Sequence, residues 1–102
     1  MEQIIENNDI EKLIFVPLFA SLYYEDRVFA KRVCIKLASH STPDVRGCAI
    51  EGFGHIARID GEIDEKLVRP LIERALFEEN EFVRMKAEDA KDELKHFLNW
   101  KF

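Results

Sequence analysis

Glycine and proline are scarce in this sequence, with four glycines and three prolines among 102 residues. Alternating apolar and polar runs, which half-buried strands require, are also absent. Apolar residues instead recur every three or four positions almost from end to end. The sequence therefore excludes a loop-rich or β-sheet protein and predicts an all-α fold, with residues 1–102 forming one domain.

Cysteine and long apolar runs are limited too, and each shortage excludes a class of protein. The two cysteines, Cys34 and Cys48, both lie in apolar helical patterns, which predicts reduced core thiols rather than a disulfide scaffold. No apolar run approaches the ~18 residues of a membrane span, and the acidic N-terminus does not resemble a secretory signal. These observations predict a cytoplasmic protein with no membrane partner.

Basic runs are missing as well. No stretch of lysine and arginine exceeds two residues, and the formal net charge is −5. A protein that binds nucleic acid directly needs a basic surface to neutralise phosphates, so we expect no DNA or RNA partner. Charged residues of both signs still make up 34% of the chain, which predicts a solvated surface on a folded domain.

Known catalytic motifs are absent from the sequence. It contains no phosphate-binding loop, dinucleotide-binding glycine motif, nucleophile elbow or HExxH pair. The three histidines, His40, His55 and His96, have no zinc-ligand spacing. Glu51 and His55 are four residues apart, which favours a surface pair on a helix over a metal site. The sequence therefore predicts no enzyme activity, no cofactor and no metal.

Five helices are predicted, over residues 9–24, 26–40, 43–60, 64–78 and 80–98. Asn8 and Glu11 are expected to form a capping box at the start of the first helix. Pro17 lies inside this helix and is expected to kink it.

The later helix boundaries are marked by capping residues. Thr42 is expected to cap the third helix, because Pro43 then takes the first helical position. Gly61 is expected to end that helix, and Asn80 to cap the last one.

An internal repeat has a period of 38 residues, the spacing of Val45 and Val83, of Arg46 and Arg84, and of Ala49 and Ala87. Any two amphipathic helices share a period, so the repeated Val-Arg-x-x-Ala is more informative than the apolar pattern alone. The matched inward positions predict a set of buried residues: Val45, Ala49, Ile56, Val83, Ala87 and Leu94.

Residues 43–49 and 81–87 resemble the opening of the second helix of HEAT repeats, which is typically Asp-x-x-Val-Arg-x-x-Ala. The resemblance extends from about residue 9 to residue 97. It implies a short right-handed solenoid of about two and a half units, with a continuous protein-binding surface. A second shift, of 53 residues, places Pro17 on Pro70 and leaves an armadillo-like grouping of three helices open.

The exposed positions of the third and fifth predicted helices are expected to line the concave face of such a stack. The predicted partner-binding residues are Gly47, Glu51, Gly54, Arg58, Met85, Glu88, Asp92 and Glu93. Gly47 and Gly54 share one side of their helix, and either a smooth groove for a partner or tight packing against a neighbouring helix explains them.

The flank of the last predicted helix indicates where the array ends. The 38-residue shift replaces three apolar residues of the third helix with charged ones in the fifth. The replaced residues are Ile50, Phe53 and Ala57, and their counterparts are Glu88, Lys91 and Lys95. A terminal repeat needs such a polar flank, so we expect the array to end with this helix.

Aromatic residues cluster at the C-terminus, where Phe97, Trp100 and Phe102 lie within six residues. They are interpreted either as a tail that seals the last repeat or as an anchor for a partner. Tyr23 and Tyr24 allow the same two interpretations.

A non-catalytic protein-binding module is the predicted function. By size and composition, the chain resembles immunity proteins of bacterial contact-dependent growth inhibition systems, which neutralise a cognate toxin. An acidic face suits a basic toxin domain such as a nuclease, because opposite potentials speed encounter. The alternatives are a structural or adaptor module of HEAT type and an accessory subunit of an enzyme, such as a chromophore lyase.

Overall fold

The computed structural model describes residues 10–102, apart from the side chains of residues 10, 11 and 18. This part of the chain is helical and contains no strand, which confirms the all-α prediction. Its helices are α1 Ile10–Leu13, α2 Phe15–Tyr23, α3 Arg27–Leu37, α4 Pro43–Asp60, α5 Glu65–Leu76 and α6 Glu81–Leu98.

The first predicted helix is divided into α1 and α2 at Ile14. The backbone dihedrals of Ile14 stay helical, with φ −59° and ψ −37°, so the chain continues in the same sense. Pro17 has no N–H to donate to the backbone oxygen of Leu13, four residues earlier, so the turn that contains Ile14 lacks one of its hydrogen bonds. The interruption therefore precedes the proline, whereas a kink was predicted at it. The predicted capping box of Asn8 and Glu11 lies outside the described residues.

The start of α4 differs in one respect from the prediction. Pro43 is the first helical residue, as expected, and Thr42 takes the N-cap position, but the Thr42 side chain makes no capping hydrogen bond. The backbone N–H of Thr42 instead donates to Nδ1 of His40 at 3.0 Å. The predicted side-chain cap is therefore wrong. At the other end, Gly61 is confirmed as the terminator, with a positive φ of 71° that favours glycine.

The N-termini of the last two helices are capped by side chains. Asn80 accepts a hydrogen bond from the backbone N–H of Val83 at 3.1 Å, which confirms the predicted cap of α6. Asp64 caps α5 by accepting from the backbone N–H of Lys66 at 3.0 Å. These acceptors satisfy N–H groups that have no partner within their own helix.

Helix α4 is the central element, because it packs against α2, α3, α5 and α6, most extensively against α6. The six residues predicted to be buried are all fully buried: Val45, Ala49, Ile56, Val83, Ala87 and Leu94. The 38-residue shift therefore identifies the inward side of both α4 and α6. By contrast, Pro17 is buried and Pro70 is exposed, so the 53-residue shift aligns positions in different environments.

Gly47, Gly52 and Gly54 allow close contact between α4 and its neighbours, and the first two show how α4 is placed. A Cβ on Gly52 would lie 2.7 Å from Sγ of Cys34, on the side that faces α2 and α3. A Cβ on Gly47 would lie 2.5 Å from the ring of Phe82 in α6. Gly52 and Gly47 are five residues apart, which places them on nearly opposite sides of the helix. Helices α2 and α6 therefore pack on opposite sides of α4.

The repeated arginines make the same contacts in both units. Nη1 of Arg46 donates to the backbone oxygens of His40 at 2.9 Å and Ser41 at 3.0 Å. Nη1 of Arg84 donates to the backbone oxygens of Glu78 and Glu79, both at 2.7 Å. The acceptors lie six and five residues before the arginine in each case. Each arginine therefore ties the turn that precedes its helix to the helix itself.

The two turns are also joined to each other. The guanidinium of Arg46 forms an ion pair with the carboxylate of Glu78, with Nε 3.3 Å from Oε2. Because Glu78 also supplies a backbone oxygen to Arg84, one residue links the two arginine contacts. The 38-residue repeat is thus a repeat of hydrogen bonds as well as of residue types.

Both cysteines are free thiols, but they differ in exposure. Burial raises the pKa of Cys34 to about 12, against the smaller opposing effect of the positive charge on Arg27. Cys48 is half-buried rather than a core residue, and burial, followed by the negative charge of Glu51, raises its pKa as well.

Thiol labelling is expected to distinguish these two side chains. With a disulfide reagent at pH 8, only Cys48 of the native protein should react, releasing one equivalent of the reagent's thiol per chain. The reaction should be slow, because the thiolate is the reactive form and the raised pKa of Cys48 keeps most of it protonated. Cys34 should react only when the protein unfolds, so denaturant should release the second equivalent. A Cys48→Ser variant serves as the control and should be unreactive while folded. Equal labelling rates for both native thiols would contradict the burial of Cys34.

Candidate protein-interaction surfaces

The exposed side of α6 carries four carboxylates, Glu88, Asp89, Asp92 and Glu93, which we call the acidic face. The first three are exposed, and Glu93 is half-buried. Glu88 pairs with Lys91 on the same helix, with Oε2 3.4 Å from Nζ. Within residues 10–102, the other three carboxylates form no ion pair. The acidic face therefore keeps a negative charge that a positively charged surface could neutralise.

A cleft of about 300 Å³ lies where α6 meets α4, and three of the four carboxylates of the acidic face line one wall of it. Its lining residues are Glu51, His55, Asp89, Ala90, Asp92 and Glu93. The Glu51 carboxylate forms an ion pair with Lys86, and its Oε1 lies 3.8 Å from Nε2 of His55. The α4 wall is therefore largely neutralised, and the unpaired charge of the cleft belongs to α6.

Gly47 and Gly54 do not lie on an open surface, as the groove interpretation required. Both are buried under α6. A Cβ on Gly54 would lie 3.1 Å from Cγ of Glu93, and one on Gly47 would meet the ring of Phe82. Tight helix packing explains the two glycines, and their assignment as groove-lining residues is corrected.

The other six predicted binding residues do not form one site. Met85, Glu88 and Asp92 are exposed on one side of α6, where they recur at three-to-four-residue spacing. Arg58 is exposed near the end of α4, with a guanidinium nitrogen 3.4 Å from Nδ1 of His55. Glu51, Asp92 and Glu93 meet at the cleft, whereas Met85 does not line it.

A row of aromatic side chains lies on α2, and only its last member, Tyr23, was singled out from the sequence. Phe15, Phe19 and Tyr23 remain 67%, 52% and 70% exposed, and their four-residue spacing places them on one side of the helix. The rings of Phe19 and Tyr23 are 5.8 Å apart between centroids. The four-residue spacing of aromatic residues in a helix without charged residues was the signal from which this row could have been predicted. We call these three residues the aromatic row.

The C-terminal aromatics mainly seal the fold. Asn99 adopts a positive φ of 58°, which turns the chain back after α6. Trp100 then packs against the core, and its backbone N–H donates to the backbone oxygen of Leu94 at 3.3 Å. The guanidinium of Arg69 lies 5.3 Å from the centroid of the Trp100 ring and 4.8 Å from that of Phe102. These contacts support the sealing interpretation for Trp100 and Phe102.

Comparison of the chain with protein-family models, with curated proteins and with solved structures finds no match. Among the described residues, no group of three histidine, cysteine, aspartate or glutamate side chains is arranged to hold a metal ion. None of the helices in residues 10–102 is both long and apolar enough to cross a membrane.

Proposed function

We propose that this protein is a non-catalytic binding module that holds a basic partner protein on the acidic face of α6. The observation that carries the proposal is the unpaired charge of Asp89, Asp92 and Glu93 beside the cleft. These carboxylates are fixed to a long helix that packs closely on α4, so they can be presented without rearrangement. A fixed cluster of one sign steers a partner of opposite charge and excludes partners of like charge.

The specific form of this function that we propose is inhibition of a cationic toxin, as an immunity protein would perform it. A nuclease binds a polyanion, so its active site is basic and complementary to a compact acidic surface. An inhibitor that covers such an active site needs no catalytic group of its own. Residues 10–102 supply the required surface within a small helical domain.

The HEAT-like solenoid remains part of the proposal. It is supported by the matched contacts of Arg46 and Arg84, each of which donates to backbone oxygens five and six residues earlier. The polar flank of α6 further supports an array that ends there. In α4, Ile50 and Phe53 are buried, whereas Glu88 is exposed and Lys91 is half-buried at the matching positions.

One observation favours the adaptor alternative. Met85 matches Gly47, which is buried under α6, yet Met85 is 50% exposed, and none of the helices in residues 10–102 covers it. An apolar side chain at this place suits a module whose last helix packs against another helical unit. In that case Met85, rather than the carboxylates, would be the central contact residue.

Charge reversal on the acidic face tests the proposed function. The double variant Glu88→Lys and Asp92→Lys is expected to change the free energy of unfolding by less than ~0.5 kcal/mol, because both side chains are exposed. Association with the captured partner should slow by about tenfold or more, and the salt dependence of the rate should decrease. The measurement is association kinetics at two salt concentrations, using the protein captured from the source cell by the wild type.

A matched control separates a local effect from the net charge. The double variant Glu73→Lys and Glu79→Lys changes two exposed carboxylates in the same way, outside α6. It should bind nearly as fast as the wild type. A captured toxin should also lose its activity when one equivalent of wild-type protein is added. Unchanged binding by the Glu88 and Asp92 variant would exclude this face, and capture of nucleic acid would refute the electrostatic argument.

A further inference from the structure

We propose that this protein binds a free α-amino acid with a large apolar side chain in a pocket separate from the acidic face. The pocket lies between the turn that precedes α4 and the turn that precedes α6, and we call it the turn pocket. Its volume is about 680 Å³, within the range of roughly 300–1,000 Å³ that small-molecule sites occupy. None of the described residues lines both the turn pocket and the cleft beside the acidic face, so this binding is independent of the function proposed above.

Apolar side chains form the floor of the turn pocket. Ile50, Ala75 and Val83 are buried there, and they come from α4, α5 and α6 respectively. Phe77 also lines the pocket, although its ring is 88% exposed. A ligand side chain that packs on these residues removes apolar surface from water on both sides of the contact. The floor therefore favours a ligand with an apolar body.

Four charged side chains line the turn pocket, and two of them are already paired, because the guanidinium of Arg46 binds the carboxylate of Glu78. Arg74 and Glu79 are the other two, and within residues 10–102 neither forms an ion pair. Nη2 of Arg74 donates to Oγ of Ser39, in the turn before α4, at 3.2 Å. A guanidinium has several further N–H donors, so Arg74 can bind a carboxylate as well.

The two unpaired charges have opposite signs and come from different elements. Arg74 belongs to α5, whereas Glu79 lies in the turn before α6. A ligand with one charge would satisfy only one of them and would face a like charge on the other. A free α-amino acid carries a carboxylate and an ammonium group on one carbon, and its side chain leaves that carbon in a third direction. This arrangement pairs with Arg74 and Glu79 while the side chain packs on the apolar floor.

The size of the ligand determines how tightly it should bind. For a ligand of about a dozen non-hydrogen atoms, the efficiency typical of small ligands corresponds to a dissociation constant on the order of 1 mM. Each charged group of the ligand should contribute about tenfold or more to the affinity, because hydrogen bonds between charged groups are the stronger ones.

The experiment is a titration of the full chain with L-phenylalanine to about 20 mM, followed by two-dimensional NMR of the backbone amides. The amide signals of Ala75, Phe77 and Val83 should shift and approach saturation. N-acetylphenylalanine lacks the ammonium group and phenylalanine amide lacks the carboxylate, so each should bind about tenfold or more weakly. At about pH 6 the α-amino groups of phenylalanine and its amide are protonated, so all three ligands can be compared.

Two variants assign the charges of the ligand to their partners. Arg74→Gln should weaken binding of phenylalanine and N-acetylphenylalanine by about tenfold and leave the amide unchanged. Glu79→Gln should weaken binding of phenylalanine and the amide and leave the N-acetyl compound unchanged. Both side chains are exposed, so the variants should keep the wild-type fold, which their amide spectra check. The matched controls, Arg32→Gln and Glu73→Gln, change exposed residues outside the pocket and should bind like the wild type.

Three results would overturn this assignment. The first is the absence of saturable shifts around the turn pocket at 20 mM phenylalanine. The second is binding of equal strength by all three ligands, which would mean that the charges are not recognised. The third is wild-type affinity in either the Arg74 or the Glu79 variant, because a zwitterion needs both partners.

Discussion

Replacing Leu94 with alanine is expected to lower the free energy of unfolding by about 2–5 kcal/mol, the range for removing a large buried side chain. Leu94 is fully buried in α6, and it matches the equally buried Ile56 of α4. Its backbone oxygen also accepts a hydrogen bond from the backbone N–H of Trp100, so the residue lies where the C-terminal tail folds back. The shortened side chain would leave a cavity in the core on the inward side of α6.

Urea unfolding of the wild type and Leu94→Ala measures this loss. Lys95→Ala is the control on the same helix, because Lys95 is exposed and its truncation should change stability by less than ~0.5 kcal/mol. A loss below ~0.5 kcal/mol for Leu94→Ala would mean that the inward side of α6 has been assigned incorrectly.

Gly52→Ala is expected to destabilise the protein by about 1–3 kcal/mol, although alanine favours a helix over glycine by about 1 kcal/mol. The added Cβ would lie 2.7 Å from Sγ of Cys34, and both residues are buried. The sulfur has little space in which to move. Steric overlap should therefore outweigh the gain in helix propensity.

A double-mutant cycle with Cys34→Ala tests the cause of this loss. Removing Sγ should make Gly52→Ala neutral or stabilising in that background, giving a coupling of at least about 1 kcal/mol. Gly54→Ala is the control, because its added Cβ would lie 3.1 Å from Cγ of Glu93 rather than near Cys34, so removing Sγ should not change its effect. If Gly52→Ala is equally costly with and without Sγ, the close contact with Cys34 is not the reason for the glycine.

Local sequence was sufficient to predict most of the helical organisation. Pro43, Gly61 and Asn80 mark helix ends through their own backbone or side-chain chemistry, which does not depend on distant residues. The 38-residue repeat identified the buried side of α4 and α6, since equivalent positions meet equivalent neighbours. Thr42 is the exception, because its backbone N–H bonds to the preceding His40 and its hydroxyl is not used as a cap.

The surfaces were harder to predict, because exposure depends on which neighbour covers each helix. Gly47 and Gly54 were placed on the correct side of α4, but the sequence could not show that α6 covers that side. Phe15 and Phe19 of the aromatic row were missed for the converse reason. An uncharged helix rich in Phe resembles a buried one, and only the position of α4 shows that Phe15 and Phe19 are left outside.

The arginine contacts have a consequence for how fast the chain folds. Arg46 and Arg84 each bond to backbone oxygens only five and six residues earlier, so both turns can close with little loss of chain entropy. Contacts of short sequence separation form early and correlate with rapid folding. These contacts should therefore form early, and packing of α6 on α4, which joins residues far apart in the chain, should follow more slowly. Mutations in that interface should act mainly on the folding rate, whereas loss of the Arg69 contact with Trp100 should act mainly on unfolding.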